Sequence, residues 1–398
     1  MSTTISAVRW LAAGAVWVPA VWMLACNNKD QEPVTFADVE GADESELKRD
    51  DLGGGSLGDT GGYIDVEVAV PDGAVSTAVH CGGFGDAALG AVWSLTDPGG
   101  NKVYDGDDVL NGDFTAWDFR SDFVDARTVA LLPITPSLDV QSGTWNVQFF
   151  VGPNNNGSAD CEAVHRVDSA AGDAIVYVNL VFVGPDGLDA ATAIDDENFQ
   201  EALAVFESEW GSGNLTPQYN YIDFAGDKAK YTVVEVSDTE AVEFNDLLRT
   251  AKPGNTRTMT FFFVEEIANT SSGGATILGL SAGPPGAPAT NGTSKSGVVV
   301  SAIDYDSAPA DVGKIMAHEG GHFLGLYHTT EKDGARHDLL GDTPECDASN
   351  DANGNGTMNS DECSGQGSEN VMWWTLTSGS ATLSDDQSWV LRRNPVVD

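Results

Sequence analysis

The chain has 398 residues, with 61 acidic against 19 basic side chains and a formal net charge of −42. Such a field repels a polyphosphate backbone and excludes nucleic acid as a natural partner. A hydrophobic content of 41% can supply a sizeable core, and the length suits two domains of ordinary size.

Residues 1–25 read as a signal peptide. Arg9 precedes an apolar stretch from Leu11 to Ala25 that is short for a membrane span, and Cys26 follows directly. Met23-Leu24-Ala25-Cys26 resembles a bacterial lipoprotein signal, although leucine is commoner where Met23 stands. The resemblance implies cleavage before Cys26, lipidation of that cysteine, and membrane contact only through the lipid. The protein would then be an exported cell-surface or outer-membrane lipoprotein, or one released outside the cell. An ordinary cleaved signal is the other reading, and it also means export.

Residues 26–62 are acidic, then glycine-rich at Gly53–Gly55, without a sustained apolar period. They read as a flexible tether. Residues 63–187 read as an all-β sandwich. Tyr63–Val70 alternates, Ala91–Leu95 and Trp145–Val151 are shorter strand candidates, and Ala174–Val183 is a long β-branched run. Turn signals separate them at Pro71-Asp72-Gly73, Pro98-Gly99-Gly100 and Pro153-Asn154-Asn155. Trp93–Tyr104 together with Gly143–Val147 resembles the jelly-roll domains appended to secreted proteases.

With Cys26 set aside, Cys81, Cys161, Cys346 and Cys363 form an even set in an exported chain, which suggests two disulfides. Three pairings are open, and loop order favours Cys81–Cys161 and Cys346–Cys363. His80-Cys81-Gly82-Gly83-Phe84-Gly85-Asp86 also resembles the cysteine switch of matrix metalloproteases, in which a propeptide thiolate binds the catalytic zinc. Its spacing departs from that pattern and the proline is missing.

Residues 188–398 alternate helix and strand. Phe199, Leu203, Phe206 and Trp210 lie at helical spacing within Asp195–Trp210, and Ala241–Ala251 reads as a second helix. Strands are expected at Ala229–Val236, Thr258–Val264, Val298–Ile303 and, as a sheet edge, Ile277–Leu280. Asp311–Leu324 is then a helix carrying His318-Glu319-Gly320-Gly321-His322, followed by Gly325 and His328. Residues four apart share a helix face, so His318 and His322 can serve one ion. Gly325 can end the helix in the left-handed conformation and let the chain bring in His328. Three nitrogens and an open position make a catalytic zinc site, with Glu319 placed as base towards a polarised water. Three of the six histidines of the chain fall in this one pattern.

The pattern H-E-x-x-H-x-x-G-x-x-H resembles that of the metzincin metalloproteases. Two further segments are similar to the pappalysin-like branch: His328-Thr329 with Asp342-Thr343-Pro344, and Asn370-Val371-Met372-Trp373-Trp374. The resemblance implies an α/β metzincin-like catalytic domain after the sandwich, with Met372 as the Met-turn methionine beneath the zinc ligands. Trp374 departs from the tyrosine found in many of these enzymes; an indole can donate a hydrogen bond but not accept one. Asp351 to Glu362 fits a calcium-loop pattern, in which Asp351, Asn353, Asn355, Thr357 and Glu362 would supply oxygens.

The expected function is therefore an exported zinc-dependent endopeptidase acting on a protein or peptide substrate, with Zn²⁺ and Ca²⁺ as cofactors. Two other readings are a noncatalytic surface adhesin with structural zinc and a zinc amidase acting on a non-protein amide.

Overall fold

Two of the most apolar runs of the chain, β12 (Met259–Val264) and β15 (Val298–Ser301), lie side by side inside a five-stranded sheet, and every residue of both is buried. The computed structural model describes residues 31–398 except 59–60, 86–89, 108–126, 154, 169–173, 186, 238–240, 272–276 and 304. The signal stretch and Cys26 lie outside the described residues.

The strand order in this sheet is β10 (Leu215–Asp223), β9 (Ala174–Phe182), β12, β15 and β14 (Gly279–Ser281). The first four run parallel, and β14 is antiparallel at the edge. Parallel strands covered on both faces read as unbroken apolar runs, and side-chain alternation then divides each strand between two cores. Phe261 and Phe263 face one core with Phe206, Trp210, Ile315 and Met316. Phe262 and Val264 face the other with Phe244, Leu247 and Leu248. The first core is closed by helices α2 (Glu197–Gly211) and α5 (Pro309–Leu324), the second by α4 (Val242–Leu248). Short helices α1 (Ala190–Ala193) and α3 (Lys228–Tyr231), the C-terminal α6 (Asp385–Leu391), and a parallel pair of β11 (Val233–Val236) with β13 (Glu266–Asn269) complete this part.

Two four-stranded antiparallel sheets occupy most of the first half. One has the order β1 (Leu47–Gly53), β8 (Asp160–Arg166), β3 (Ser76–Gly82), β6 (Arg127–Leu132); the other has β2 (Gly62–Val70), β7 (Gly143–Val151), β4 (Gly90–Thr96), β5 (Lys102–Asp105). Val66, Val68, Trp145 and Phe149 from one sheet share a hydrophobic cluster with Ala78, Ala130, Leu131 and Ala163 from the other. Cys81–Cys161 joins β3 to β8 and Cys346–Cys363 closes a later loop, the pairings that loop order favoured. With its sulfur in a disulfide, Cys81 is not the zinc-binding thiolate of a cysteine switch.

Three expectations change. The stretch expected as a tether is built into the fold from Val34 onward: Val34 bridges to Ile222, Val39 joins the second core, and β1 pairs with β8. Its apolar residues are too scattered to show a period; Val39 and Ala42 are buried, and Val34, Phe36, Leu47 and Leu52 are half-buried against cores built by distant parts of the chain. The boundary expected at 187/188 does not match the strands, because β9 lies inside the mixed sheet; its β-branched run is apolar on both faces for that reason. Ala229–Val236, expected as one strand, is the helical turn α3 followed by β11. The strand β10 escaped the sequence reading because Pro217 interrupts it. An end strand tolerates a residue without an N–H, and β10 ends the sheet.

Candidate metal centre

Helix α5 carries the first two histidines. It starts at Pro309, whose fixed φ suits a first turn, and has Asp311 near its positive end. It stops at Gly325, where φ is 112°. The Gly325 N–H donates to the His322 carbonyl at 3.0 Å and the Leu326 N–H to the Gly321 carbonyl at 2.9 Å, which satisfies carbonyls the helix leaves open. A Cβ at position 325 would stand 2.8 Å from Leu131 Cδ2 of β6, so the antiparallel half of the fold packs directly on the end of this helix.

The two glycines inside the motif have separate physical reasons. A Cβ on Gly320 would come 2.6 Å from the Trp210 ring, and one on Gly321 would come 2.4 Å from Met372 Sδ. Helix α2 and the Met372 turn thus approach the α5 backbone on two sides. Trp210 also donates from Nε1 to the Ala317 carbonyl at 3.1 Å. Met372 is fully buried and its carbonyl accepts from the Thr329 N–H at 3.0 Å, which ties the turn to the residue after His328.

The three imidazoles converge. His328 Nε2 lies 3.2 Å from His318 Nε2 and 3.1 Å from His322 Nε2. Each Nδ1 faces an acceptor: the Val371 carbonyl at 2.8 Å for His318, the Leu326 carbonyl at 2.7 Å for His322, and Glu331 Oε1 at 3.0 Å for His328. Carbonyls and ionised carboxylates cannot donate, so the proton of each neutral ring belongs on Nδ1. All three Nε2 lone pairs then point at one another, an arrangement that is repulsive without a cation between them. Tetrahedral coordination with Zn–N bonds of about 2.0–2.1 Å separates the nitrogens by roughly 3.3 Å, so the donor set fits zinc. Burial also lowers the pKa of His318, keeping that ring neutral as a ligand must be, while the bond to Val371 opposes the shift.

Glu319 follows His318 on the helix and is half-buried against β14. A Cβ on Gly279 would meet Glu319 Cγ at 2.7 Å, so glycine at the strand edge makes room for this side chain. Burial raises the Glu319 carboxyl to about 7, and a hydrogen bond from the Ser281 backbone N–H works against that rise. A cation among the histidines would also favour the charged form.

Glu331 escaped the sequence reading. Carboxylates that accept from the far nitrogen of a metal-binding histidine fix its tautomer and orientation. An acid three residues after the last histidine was the available signal. We expect Glu331→Gln to weaken zinc affinity by roughly 10–100-fold, as measured by chelator competition; unchanged affinity would reject this role.

The other expected positions serve the surroundings. Asp342 accepts from Ser384 Oγ at 2.8 Å and from the Asp386 N–H at 2.9 Å, anchoring the Asp342-Thr343-Pro344 segment to the start of α6. Trp374 donates from Nε1 to the Met358 carbonyl at 2.9 Å. Met358 and Trp373 pack with the Cys346–Cys363 disulfide in a small separate core.

In the loop from Asp351 to Glu362 the candidate oxygens bind the loop itself. Asp351 accepts from the N–H groups of Gly354, Asn355 and Gly356. Asn353 and Asn355 accept from the N–H groups of Asn355 and Thr357. Glu362 accepts from the N–H groups of Ala352, Asn353 and Asn359 and from the side-chain amides of Asn353 and Asn359. Those five donors already use the roughly four lone-pair sites of a carboxylate, so as folded the Glu362 oxygens are taken up by the loop itself.

A second carboxylate group, Glu46, Asp168 and Asp398, also brings its oxygens within 4.8 Å. Two of its three carboxylates, Glu46 and Asp168, are paired with arginines within the protein. Buried Arg257 lies 2.6 Å from Glu46 and 3.5 Å from Asp168, and buried Arg166 pairs with Asp168. No protein-family model matches the chain, and no curated protein matches it.

Proposed function

We propose that this chain is an exported zinc endopeptidase related to the metzincins. The observation that carries the reading is the convergence of three Nε2 lone pairs whose Nδ1 protons are all fixed by acceptors, with Glu319 on the same helix. Zinc, when bound, lowers the pKa of a water and polarises a carbonyl. His318, His322 and His328 hold the metal, and the Val371, Leu326 and Glu331 acceptors orient them. Glu319 takes the proton of the attacking water and passes it to the leaving amine. Edge strand β14 offers its backbone to an extended peptide, which satisfies the peptide's own N–H and C=O groups. In this reading the mixed sheet with its helices would be the metzincin-like part and the two antiparallel sheets the appended sandwich.

Casein zymography with and without a chelator tests this reading. We expect a clearing band that the chelator abolishes and zinc restores. A pure, zinc-loaded protein that clears no protein substrate would favour the adhesin or the amidase.

Calcium at Asp351–Glu362 stays a proposal that rests on the sequence pattern, since a cation there must displace donors from Glu362. A calcium-held loop has a melting temperature higher in calcium than in magnesium, and Glu362→Gln removes the difference. Equal melting temperatures in all three cases reject it.

A further inference from the structure

An antiparallel sheet with one face in water alternates buried and exposed residues, as β2 does: Tyr63, Asp65, Glu67 and Ala69 are exposed between buried neighbours. The sheet β1-β8-β3-β6 breaks that rule. Every residue of β3 is buried, and so is every residue of β6 from Thr128 to Leu132. The alternation is lost because both faces are covered. Adjacent residues of β8 show the division, since they point to opposite faces. Ala163 belongs to the core between the two antiparallel sheets, and Val164 to the core that also holds Phe323, Leu324 and Leu326. We infer that this sheet is part of the metal centre, with Leu131 of β6 and Tyr327 as positioning residues for His328. The inference rests on the zinc reading of the three histidines.

His328 reaches the site through the turn that follows α5. Gly325 opens the turn with φ at 112° and has no side chain to fill the space beside it. Leu131 fills that space, with its Cδ2 2.8 Å from where a Cβ of residue 325 would stand. Leu326 is buried in the core beneath α5, and its carbonyl faces His322 Nδ1 at 2.7 Å. Tyr327 packs instead against the core of the antiparallel sheets, as does Leu339. Successive residues of the turn are thus seated in two different cores, and His328 follows directly. A metal-binding constellation holds its geometry to within about 0.5 Å only when packing locks its supports. In a close-packed interior, a gap beneath the turn shifts the backbone that carries the ligand.

The sheet also holds the other side of the helix end. The Gly286 N–H donates to the Phe323 carbonyl at 2.9 Å, and a Cβ on Gly283 would collide with the His322 carbonyl oxygen. The loop that leads into β15 therefore backs the last turn of α5. Strands β1 and β3 grip this loop: Arg49 donates to the Ala289 carbonyl at 2.6 Å, and His80 Nε2 lies 3.0 Å from Thr290 Oγ1. The antiparallel half is then a wall of the zinc site, and an active enzyme cannot shed it.

The test is zinc affinity of the full chain by chelator competition, at a temperature where circular dichroism shows each variant folded. Leu131→Ala and Tyr327→Ala should each weaken zinc binding by about tenfold or more, the usual worth of a group that orients a ligand. Cobalt bound in place of zinc should show a changed visible spectrum in both, because that spectrum reports ligand geometry. Leu131→Met refills the space and should restore affinity and spectrum. Leu95→Ala is the control, the same truncation in the same core but on the other antiparallel sheet. It should lower the melting temperature and leave zinc affinity and the cobalt spectrum at parental values. Tyr327 is only half-buried, so its variant decides the question if Leu131→Ala does not fold. Parental affinity in either folded variant overturns the positioning role and leaves the zinc site standing. An equal loss in Leu95→Ala also overturns it, because lost stability alone then explains the effect. A parent protein that binds no zinc overturns this inference together with the zinc reading.

Discussion

Glu319→Gln should retain zinc and fold while losing peptide hydrolysis by roughly 10²–10⁴-fold in kcat/KM, the usual worth of a positioned general base. The amide oxygen can still accept from the Ser281 N–H, so the tie to β14 survives. Burial already disfavours the charged carboxylate, so a neutral amide of the same size does not strain the site. Glu319→Asp separates geometry from charge: it keeps the carboxylate but draws it back by one methylene. A misplacement of about 1 Å can cost on the order of 10²-fold. The measurement is hydrolysis of a quenched peptide, with zinc quantified in the same samples. Parental activity in a fully zinc-loaded Gln variant would overturn the general-base role.

His322→Ala should abolish both zinc binding and hydrolysis. The remaining pair, His318 and His328, offers two nitrogens where a stable site needs at least three ligands. The Leu326 carbonyl also loses its imidazole donor, which loosens the turn that brings in His328. Elemental analysis should show zinc falling from about one per chain to a trace. Zinc that binds only the folded protein adds to its stability, so chelation should lower the melting temperature of the parent and leave that of the variant unmoved. A variant that keeps its zinc would show that the three imidazoles do not form the site.

The local parts of this protein follow from short-range chemistry. The spacing of His318 and His322 places them on one helix face, and Gly325 ends the helix because glycine alone adopts that conformation cheaply. Alternation in Tyr63–Val70 and the unbroken apolar run of Met259–Val264 also carry their own signals, because period and burial are properties of the strand itself. The even cysteine set and the order of the loops point to the two disulfides that are observed.

Other features depend on partners far away in the chain. Gly320 and Gly321 are glycines because Trp210 and Met372 occupy the space a Cβ would need, and neither neighbour is near them in sequence. Val39 and β1 look like free linker until the second core buries Val39 and β8 pairs with β1. Strand β9 belongs to the mixed sheet because β10 and β12 pair with it, a choice no local period records. Patterning within a few residues thus determined the helix that carries His318 and His322, while close approach between distant backbones decided which residues surround it.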